Sequence, residues 1–417
     1  MIELRDYQEN ISSYARRVLH WAGCFYLNME CRTGKTLTAL VTAQKYGAKS
    51  VLCITKKKAI ASIWKDYNAL RNKTIDYELE VVNHESAHKV QGDYDLVMLD
   101  EAHALGAYPR LNKKTKSIKR LCRGLPVIFM SGTPTPESFS QLYHQFWVCD
   151  YSPWKRYKSF YAWAKDYVNI GTKWINGQPI KDYSNAKQDL IHHDIDCLMQ
   201  TYTQKEAGFK TEIEEEELIV PMRKQTQRLL KELYKDRIAY TDNGMVVEAD
   251  TPAKLLTKMH QVSSGTVIAD DNTHIILDNS KALFAKNYFD GKKIAIFYVY
   301  QTEAELLHEV FPNWTDNPEE FQASPDKTFI CQVRRAREGV RLDSADALVF
   351  YNLEYSFLSY EQGRNRLASK ERETPCKVYF LCSDCGIEGD ILKAVHGKSD
   401  FTLSWYKKNG LHGKHSS

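Results

Sequence analysis

The chain has 417 residues, with 57 lysines and arginines against 53 aspartates and glutamates, a net charge of +4 when histidines are neutral. With 43% hydrophobic and 26% charged residues it has the make-up of a globular protein with core enough for two domains, which excludes a disordered or fibrous chain. The near balance of charge excludes a global basic field, so contacts with an anionic polymer must come from local patches.

Three such patches are Lys56–Lys58, Lys113–Arg120 and Arg334–Arg341, each of which reads equally well as a solvated face. Charges interrupt every apolar run before the roughly 18 residues that a membrane span requires. The opening "MIELRDYQEN" has no apolar core of a signal peptide, so the expected location is cytoplasmic. Ten cysteines without framework spacing read as reduced thiols. The CxxC pair Cys382 and Cys385 has no partner pair nearby and reads as incidental rather than a zinc site.

In chain order, "LRDYQ" (4–8) precedes an amphipathic helix expected over Ile11–Trp21. The amide of Gln8 has the donor and acceptor needed to read an adenine edge. Apolar Phe25–Leu27 then leads into "MECRTGKTL" and a helical Thr38–Lys45. Strand, tight loop and helix is the arrangement in which backbone N–H groups and a helix N-terminus cradle phosphate. In that arrangement Lys35 reaches the β- and γ-phosphates and Thr36 holds Mg²⁺, with Arg32, Thr33 and Gly34 forming the loop. A plain GKT turn at a helix start is the simpler alternative, and Met29 stands where the full pattern has glycine.

Ser50–Thr55 reads as a buried parallel strand, followed by lysines and a helix carrying Trp64, and Glu80–Asn83 as another strand. "YDLVMLDEAHAL" places Asp100 and Glu101 at the end of the apolar run Leu96–Leu99. A carboxylate pair behind a GKT loop suits phosphoryl transfer, Asp100 holding Mg²⁺ and Glu101 orienting or deprotonating the attacking water. Strand Pro126–Met130 ends in "SGTPTPES", whose small hydroxyl residues Ser131 and Thr133, with Gly132, suit a relay from the nucleotide to neighbouring elements. A Gly-Pro turn is the simpler reading.

The series "LRDYQ", "CRTGKT", "DEAH" and "SGTP", in this order and spacing, resembles the first motor domain of superfamily 2 helicases. Within them it is most similar to the SWI/SNF-like branch, in the compact form carried by bacteriophages and mobile elements. The resemblance implies an α/β fold of two tandem RecA-like P-loop domains, each a mostly parallel sheet with helices on both faces, with a helical insertion between them. It implies ATP and Mg²⁺ as ligands, Arg5 and Gln8 at the nucleotide, and His103 beside Ser131, Gly132 and Thr133 in coupling. The expected domains are 1–205, with a helical extension over 151–205, then 206–405, and a basic, disordered tail over 406–417.

"SPWKRYKSFYAWAKDYV" within Tyr151–Asp182 reads as helical, most of its rings forming core. The acidic run Thr211–Glu217 marks the connection, placed around Glu206–Glu217, and Gln225–Tyr240 reads as one long helix before a turn at Asp242–Gly244. Strands are expected at Lys293–Tyr300, Thr328–Gln332, Ala347–Asn352 and Lys377–Cys382, with a helix over Glu303–Val310. "REGVRLDSADALVFYN" resembles the fifth helicase motif, with Glu338, Gly339 and Asp343 toward the nucleotide. "YEQGRNRLASK" resembles the sixth, offering Arg364 and Arg366 as arginine fingers and Gln362 in coupling.

The implied activity is an ATP-dependent DNA translocase or helicase, a monomer acting on duplex or single-stranded DNA without sequence preference, RNA remaining an open track. Phosphate contacts are expected from Thr55, Lys56 and Lys57 and from Arg334 and Arg335. A protein partner for targeting is compatible with this reading. Other readings are a nucleotide-gated clamp and the motor subunit of a restriction-modification complex. The location is then a bacterial host's cytoplasm if the chain is phage-encoded.

Overall fold

The computed structural model describes residues 4–71, 74–175, 178–210, 212–269, 272–336, 340–369 and 372–397. The chain divides into two compact units, Met1–Phe209 and Lys210–Ser417.

In the N-terminal unit, strands β1 (Cys24–Met29), β2 (Ser50–Thr55), β3 (Glu78–Asn83), β4 (Leu96–Leu99) and β5 (Val127–Ser131) belong to one sheet. β6 (Gly171–Ile175) and β7 (Gln178–Asp182) form a separate antiparallel hairpin, and β8 (Met199–Tyr202) returns to the sheet. The sheet order is β3-β2-β4-β5-β1-β8, and every pairing is parallel. Such a sheet needs helices on its faces. They are α1 (Asp6–Ala22), α2 (Lys35–Tyr46), α3 (Ile60–Leu70), α4 (Lys113–Leu121), α5 (Gln141–Trp147), α6 (Phe160–Tyr167) and α7 (Gln188–Ile195). Each of β4 and β5 is buried along its whole length, as the unbroken apolar runs LVML and VIFM demand. α1 presents Ile11, Ala15, Val18 and Leu19 at helical spacing, all buried.

The region 151–182 departs from the helical expectation after Tyr167, because the hairpin β6–β7 follows α6. Its rings do form core: Trp154, Phe160, Trp163 and Tyr167 are buried, and Trp163 stacks on Tyr167 with centroids 5.1 Å apart. Asp194 of α7 anchors the cluster by accepting from Trp154 Nε1 at 2.9 Å.

The C-terminal unit opens with β9 (Ile213–Val220) and α8 (Lys224–Asp236), then the hairpin β10 (Ile238–Tyr240) and β11 (Val246–Glu248). There follow α9 (Pro252–Ser263), the hairpin β12 (Thr266–Ile268) and β13 (His274–Ile276), α10 (Ser280–Tyr288), β14 (Ile294–Tyr298) and α11 (Gln301–Val310). The remainder is β15 (Trp314–Thr315), α12 (Pro318–Ala323), β16 (Thr328–Gln332), α13 (Val333–Ala336), β17 (Ala347–Phe350), α14 (Phe357–Arg364), β18 (Cys376–Ser383) and α15 (Glu388–His396). Six of these strands form a second all-parallel sheet, ordered β15-β16-β14-β17-β18-β9.

Two expectations are corrected here. The units divide between Phe209 and Lys210, inside the expected connection around 206–217, but Ile213–Glu217 of the acidic run already belongs to β9, paired with β18 over eight positions from Ile213↔Cys376 to Val220↔Ser383. Its glutamates lie on a sheet edge, where charge is tolerated and discourages pairing with a second chain. The long helix also ends early, because Arg237 takes a left-handed conformation (φ 67°) after Asp236 and the chain turns into β10. Residues 406–417 of the tail lie outside the described residues.

Candidate nucleotide site

The loop between β1 and α2 is held from three sides. Gly34, at φ 81°, caps α2 without a side chain, so the helix's first N–H groups face the loop's open side. A Cβ there would lie 2.1 Å from Gln8 Nε2. The Gln8 carboxamide accepts from the Arg5 N–H at 2.9 Å and donates to the Gly34 carbonyl at 3.2 Å. Gln8 therefore braces the loop, each end of its amide holding one partner within the chain. Arg5 donates to Tyr7 Oη at 3.3 Å, and Tyr7 donates onward to the Thr33 carbonyl at 2.8 Å.

On the other flank, the Tyr7 ring stacks on Tyr202 of β8 at 4.4 Å. Gln204 donates from its side chain to the Cys31 carbonyl at 3.0 Å and from its backbone to the Glu30 carboxylate at 2.7 Å. Thr33 is buried and donates to the Glu30 carbonyl at 2.8 Å, so its hydroxyl shapes the loop from inside. Arg32 sits in the left-handed region at φ 65°. Lys35 Nζ donates to the Met29 carbonyl at 3.0 Å, and Thr36 stands half-buried in the first turn of α2.

Asp100 and Glu101 follow β4 at the same end of the sheet. Asp100 is 8% exposed. Thr55 Oγ1 donates to its Oδ2 at 2.7 Å, and His84 Nε2 lies 3.0 Å from its carbonyl oxygen. The expected surface role of Thr55 is corrected: it is fully buried and positions Asp100. Burial raises the Asp100 carboxyl above its ordinary range, the neighbouring Glu101 adds to this, and the Lys35 ammonium opposes it. Glu101 has φ 51°, a strained value for a non-glycine, and its carboxylate lies 3.1 Å from His103 Nδ1. The same nitrogen is 3.0 Å from Ser131 Oγ, which accepts from the Thr133 N–H at 3.1 Å.

Glu101, His103, Ser131 and Thr133 thus form one continuous polar chain across β4 and β5. Gly132 lets this loop approach the phosphate loop, since a Cβ there would meet the Met29 carbonyl at 3.2 Å and Lys35 Nζ at 3.4 Å. Behind it, Gln145 of α5 donates to the Pro134 carbonyl at 2.7 Å and accepts from Tyr26 at 2.6 Å. His84, Gln145 and Gln204 are lone residues outside any motif, and Tyr7, though part of LRDYQ, gives no sign in the sequence of its bond to the Thr33 carbonyl.

The His84 and His103 imidazoles are pushed down to about 4, chiefly by burial, as is His144 elsewhere in the unit. Lys56 and Lys35 reinforce the effect at His103 and Glu101 opposes it. In the unfolded chain these rings take up protons near 6.5, and in the folded chain only near 4. Stability present at neutral pH is therefore lost as pH falls through that window. The raised carboxyls of Asp100 and Asp66 work in the opposite direction, two groups against the three imidazoles. The expected result is a lower melting temperature at pH 5 than at pH 7.5, with a shallower dependence in His84→Asn. A flat profile across that range contradicts the burial argument.

In the C-terminal unit the expected residues are held by local partners. Arg364 Nη1 is 3.2 Å from Glu215 and Nη2 is 2.9 Å from Glu361, with the guanidinium 5.1 Å from the Tyr360 ring centroid. Arg366 is buried and donates from Nε to the Gln362 carbonyl at 2.8 Å. Gln362 is itself 4% exposed, and its Oε1 is buried without a hydrogen-bond partner. Asp343 accepts from Arg341 at 2.7 Å and from Gln322 at 2.9 Å. Arg334 and Arg335 remain largely exposed but are paired with Glu354 and Asp316. Lys56 is half-buried and Lys57 exposed at the turn after β2. Glu338 and Gly339 lie outside the described residues. Among the described residues no helix is long and apolar enough to cross a membrane, and no cluster of three or more histidines, cysteines or carboxylates forms a metal centre.

An uncapped helix N-terminus, a lysine, a threonine and a buried carboxylate at one sheet end are a donor set that fits a nucleotide triphosphate with Mg²⁺. The Thr133 hydroxyl, buried without a partner, adds a free polar group at the same place. Each unit is a six-stranded all-parallel sheet flanked by helices, the architecture of two tandem RecA-like domains. The chain is similar to the helicase domain of Hef from Pyrococcus furiosus, with a TM-score of 0.52 and 13% identity over 94% of this chain and 97% of that one. That likeness is one of fold. The chain matches no protein-family model and no curated protein.

Proposed function

We propose that the chain is an ATP-dependent nucleic-acid motor of the SWI/SNF-like type, a translocase or helicase on DNA, encoded by a bacteriophage or mobile element. One observation carries the reading: the Glu101, His103, Ser131 and Thr133 chain abuts the phosphate loop and joins the candidate water-orienting carboxylate to the tip of a second strand. A fold that only bound nucleotide has no need of Glu101 in a strained conformation. Thr36 and Asp100 would hold Mg²⁺, which supplies charge neutralisation at the phosphates. Lys35 would exchange the Met29 carbonyl for a phosphate oxygen, and Glu101 would take the proton of the attacking water. Arg364 or Arg366 would complete the site. The phosphates of the track would meet Lys56, Lys57, Arg334 and Arg335.

The test is steady-state ATP hydrolysis by the purified chain alone and with single-stranded DNA, duplex DNA or RNA. Stimulation by one of the DNA forms is the expected outcome, and measurable ATP binding without hydrolysis on any track overturns it. That second outcome is what a nucleotide-gated clamp, or a subunit requiring a partner, would give. One observation favours the clamp: Arg364 is already held by Glu215 and Glu361 within its own unit.

A further inference from the structure

Away from the phosphate loop, the N-terminal unit carries an open pocket of about 400 Å³ between the loop before α4, the helices α4 and α5, and the start of α6, a volume typical of small-ligand sites. Its floor is aromatic. Tyr143, His144 and Phe160 are almost fully buried, while Tyr161 is 46% exposed at the edge. Trp147 joins them, its ring held by the Lys119 ammonium 4.4 Å from its centroid.

The rim is basic: Arg110, Lys116 and Lys158 line the pocket, and no aspartate or glutamate does. Among the described residues none of these three cations makes an ion pair. Elsewhere on this unit lysines are commonly paired, as Lys45 is with Glu9 and Lys114 with Glu85. His144 Nδ1 donates to the Ala107 carbonyl at 2.6 Å, which leaves Nε2 as an acceptor on a pocket-lining ring. Aromatic faces, one hydrogen-bond acceptor and three uncompensated cations match a planar base that carries phosphate.

We infer that this pocket holds one unstacked nucleotide of a single-stranded segment, the base against Trp147 and Tyr161 and the phosphates on Arg110, Lys116 and Lys158. The inference rests on the reading of the chain as a nucleic-acid motor and adds to it a contact outside the phosphate-loop face. It also gives the aromatic and basic stretch 153–165 a second use, since its inward rings build core while Lys158 and Tyr161 turn outward.

The experiment measures binding of a fluorescein-labelled oligothymidylate and of a blunt duplex to the full chain, beside Tyr161→Ser and Arg110→Gln/Lys158→Gln. Both variants are expected to weaken single-strand binding about 10-fold. In the charge variant, which removes two cations, the slope of log affinity against log salt falls by about 1.4. Blunt-duplex binding and basal ATP hydrolysis stay at the parent level. A strand bearing 5-bromouracil should photo-crosslink to the peptides containing Trp147 or Tyr161.

Unchanged single-strand affinity in both variants, with no crosslink there, overturns the pocket and leaves the motor reading standing. A parent chain that neither binds any nucleic acid nor responds to it in ATP hydrolysis overturns both. Thymidine monophosphate binding that the variants abolish, without strand binding, makes it a free-nucleotide site and overturns the strand assignment. Loss of binding to an acidic aromatic peptide, with strand binding unchanged, makes it a protein-docking site and does the same.

Discussion

Replacing Glu101 by glutamine is expected to lower the rate of ATP hydrolysis by about 10²- to 10⁴-fold, the contribution of a positioned general base, while leaving ATP binding in place. The side chain is 23% exposed beside a nearly buried His103, so the exchange keeps volume and removes the charge that draws a proton. The fold has little stake in it, and the melting temperature should move by no more than a few degrees. Lys35→Ala gives the complementary pattern. Its ammonium spans from the loop to the Met29 carbonyl, and its loss removes a phosphate contact in ground and transition states alike, so ATP binding weakens together with turnover. Fluorescent-nucleotide titration beside single-turnover hydrolysis separates the two variants. Parent-level hydrolysis by Glu101→Gln would remove the carboxylate from the chemistry and shift the proposal toward a clamp.

A second large effect is expected far from that site. Lys281 and Glu388, on α10 and α15, are 0% and 1% exposed and lie 2.8 Å apart. Ser383 donates to the second carboxylate oxygen at 2.8 Å, and the ammonium stands 5.1 Å from the Tyr351 ring centroid. A pair this deep gains little net stability over an apolar pair, but removing one partner strands the other charge in low dielectric. Lys281→Met should therefore cost about 3–5 kcal/mol, lowering the melting temperature of the C-terminal unit by roughly 10 °C. Lys281→Met/Glu388→Gln should recover most of the loss, because the neutral amide still accepts from Ser383. Equal melting temperatures for the parent and Lys281→Met would show that water reaches the carboxylate and sink the argument.

What the sequence made legible follows the physics of each segment. β2 and β4 lie where the apolar runs Ser50–Thr55 and Leu96–Leu99 put them, because a parallel strand covered on both faces has no polar alternation to blur its ends. The hairpin β6–β7 has a signal in Asn176-Gly177, but the aromatic and basic stretch directly before it has helical patterning that masks the change to strand. β9 was hidden more deeply. Four consecutive glutamates oppose strand propensity, and only partners distant in sequence explain them: Glu215 accepts from Tyr360 at 2.9 Å and meets Arg364 and His396, each at 3.2 Å.

At the candidate site, motif spacing singled out Lys35, Asp100 and Glu101, which the fold brings to one end of the sheet, but did not fix which side chains face outward. Thr55 and Thr33 have the chemistry of ligands and are buried struts. Gln8 has the chemistry of a base reader and, in addition, braces the phosphate loop. His84 and Gln145 left no mark in the sequence, because a buried polar group is recognisable only once the partner it satisfies is in view.

The pairing of β9 with β18 gives the C-terminal unit an order of assembly. Its first strand has one neighbour, and that neighbour is its last strand, so a nascent chain leaving the ribosome carries Ile213–Val220 unmatched until Cys376–Ser383 has emerged. The glutamates that look wasteful in a finished edge keep that waiting segment soluble through mutual repulsion. Synthesis halted just before residue 376 would leave an N-terminal unit with all its strands and a C-terminal unit that cannot close its sheet.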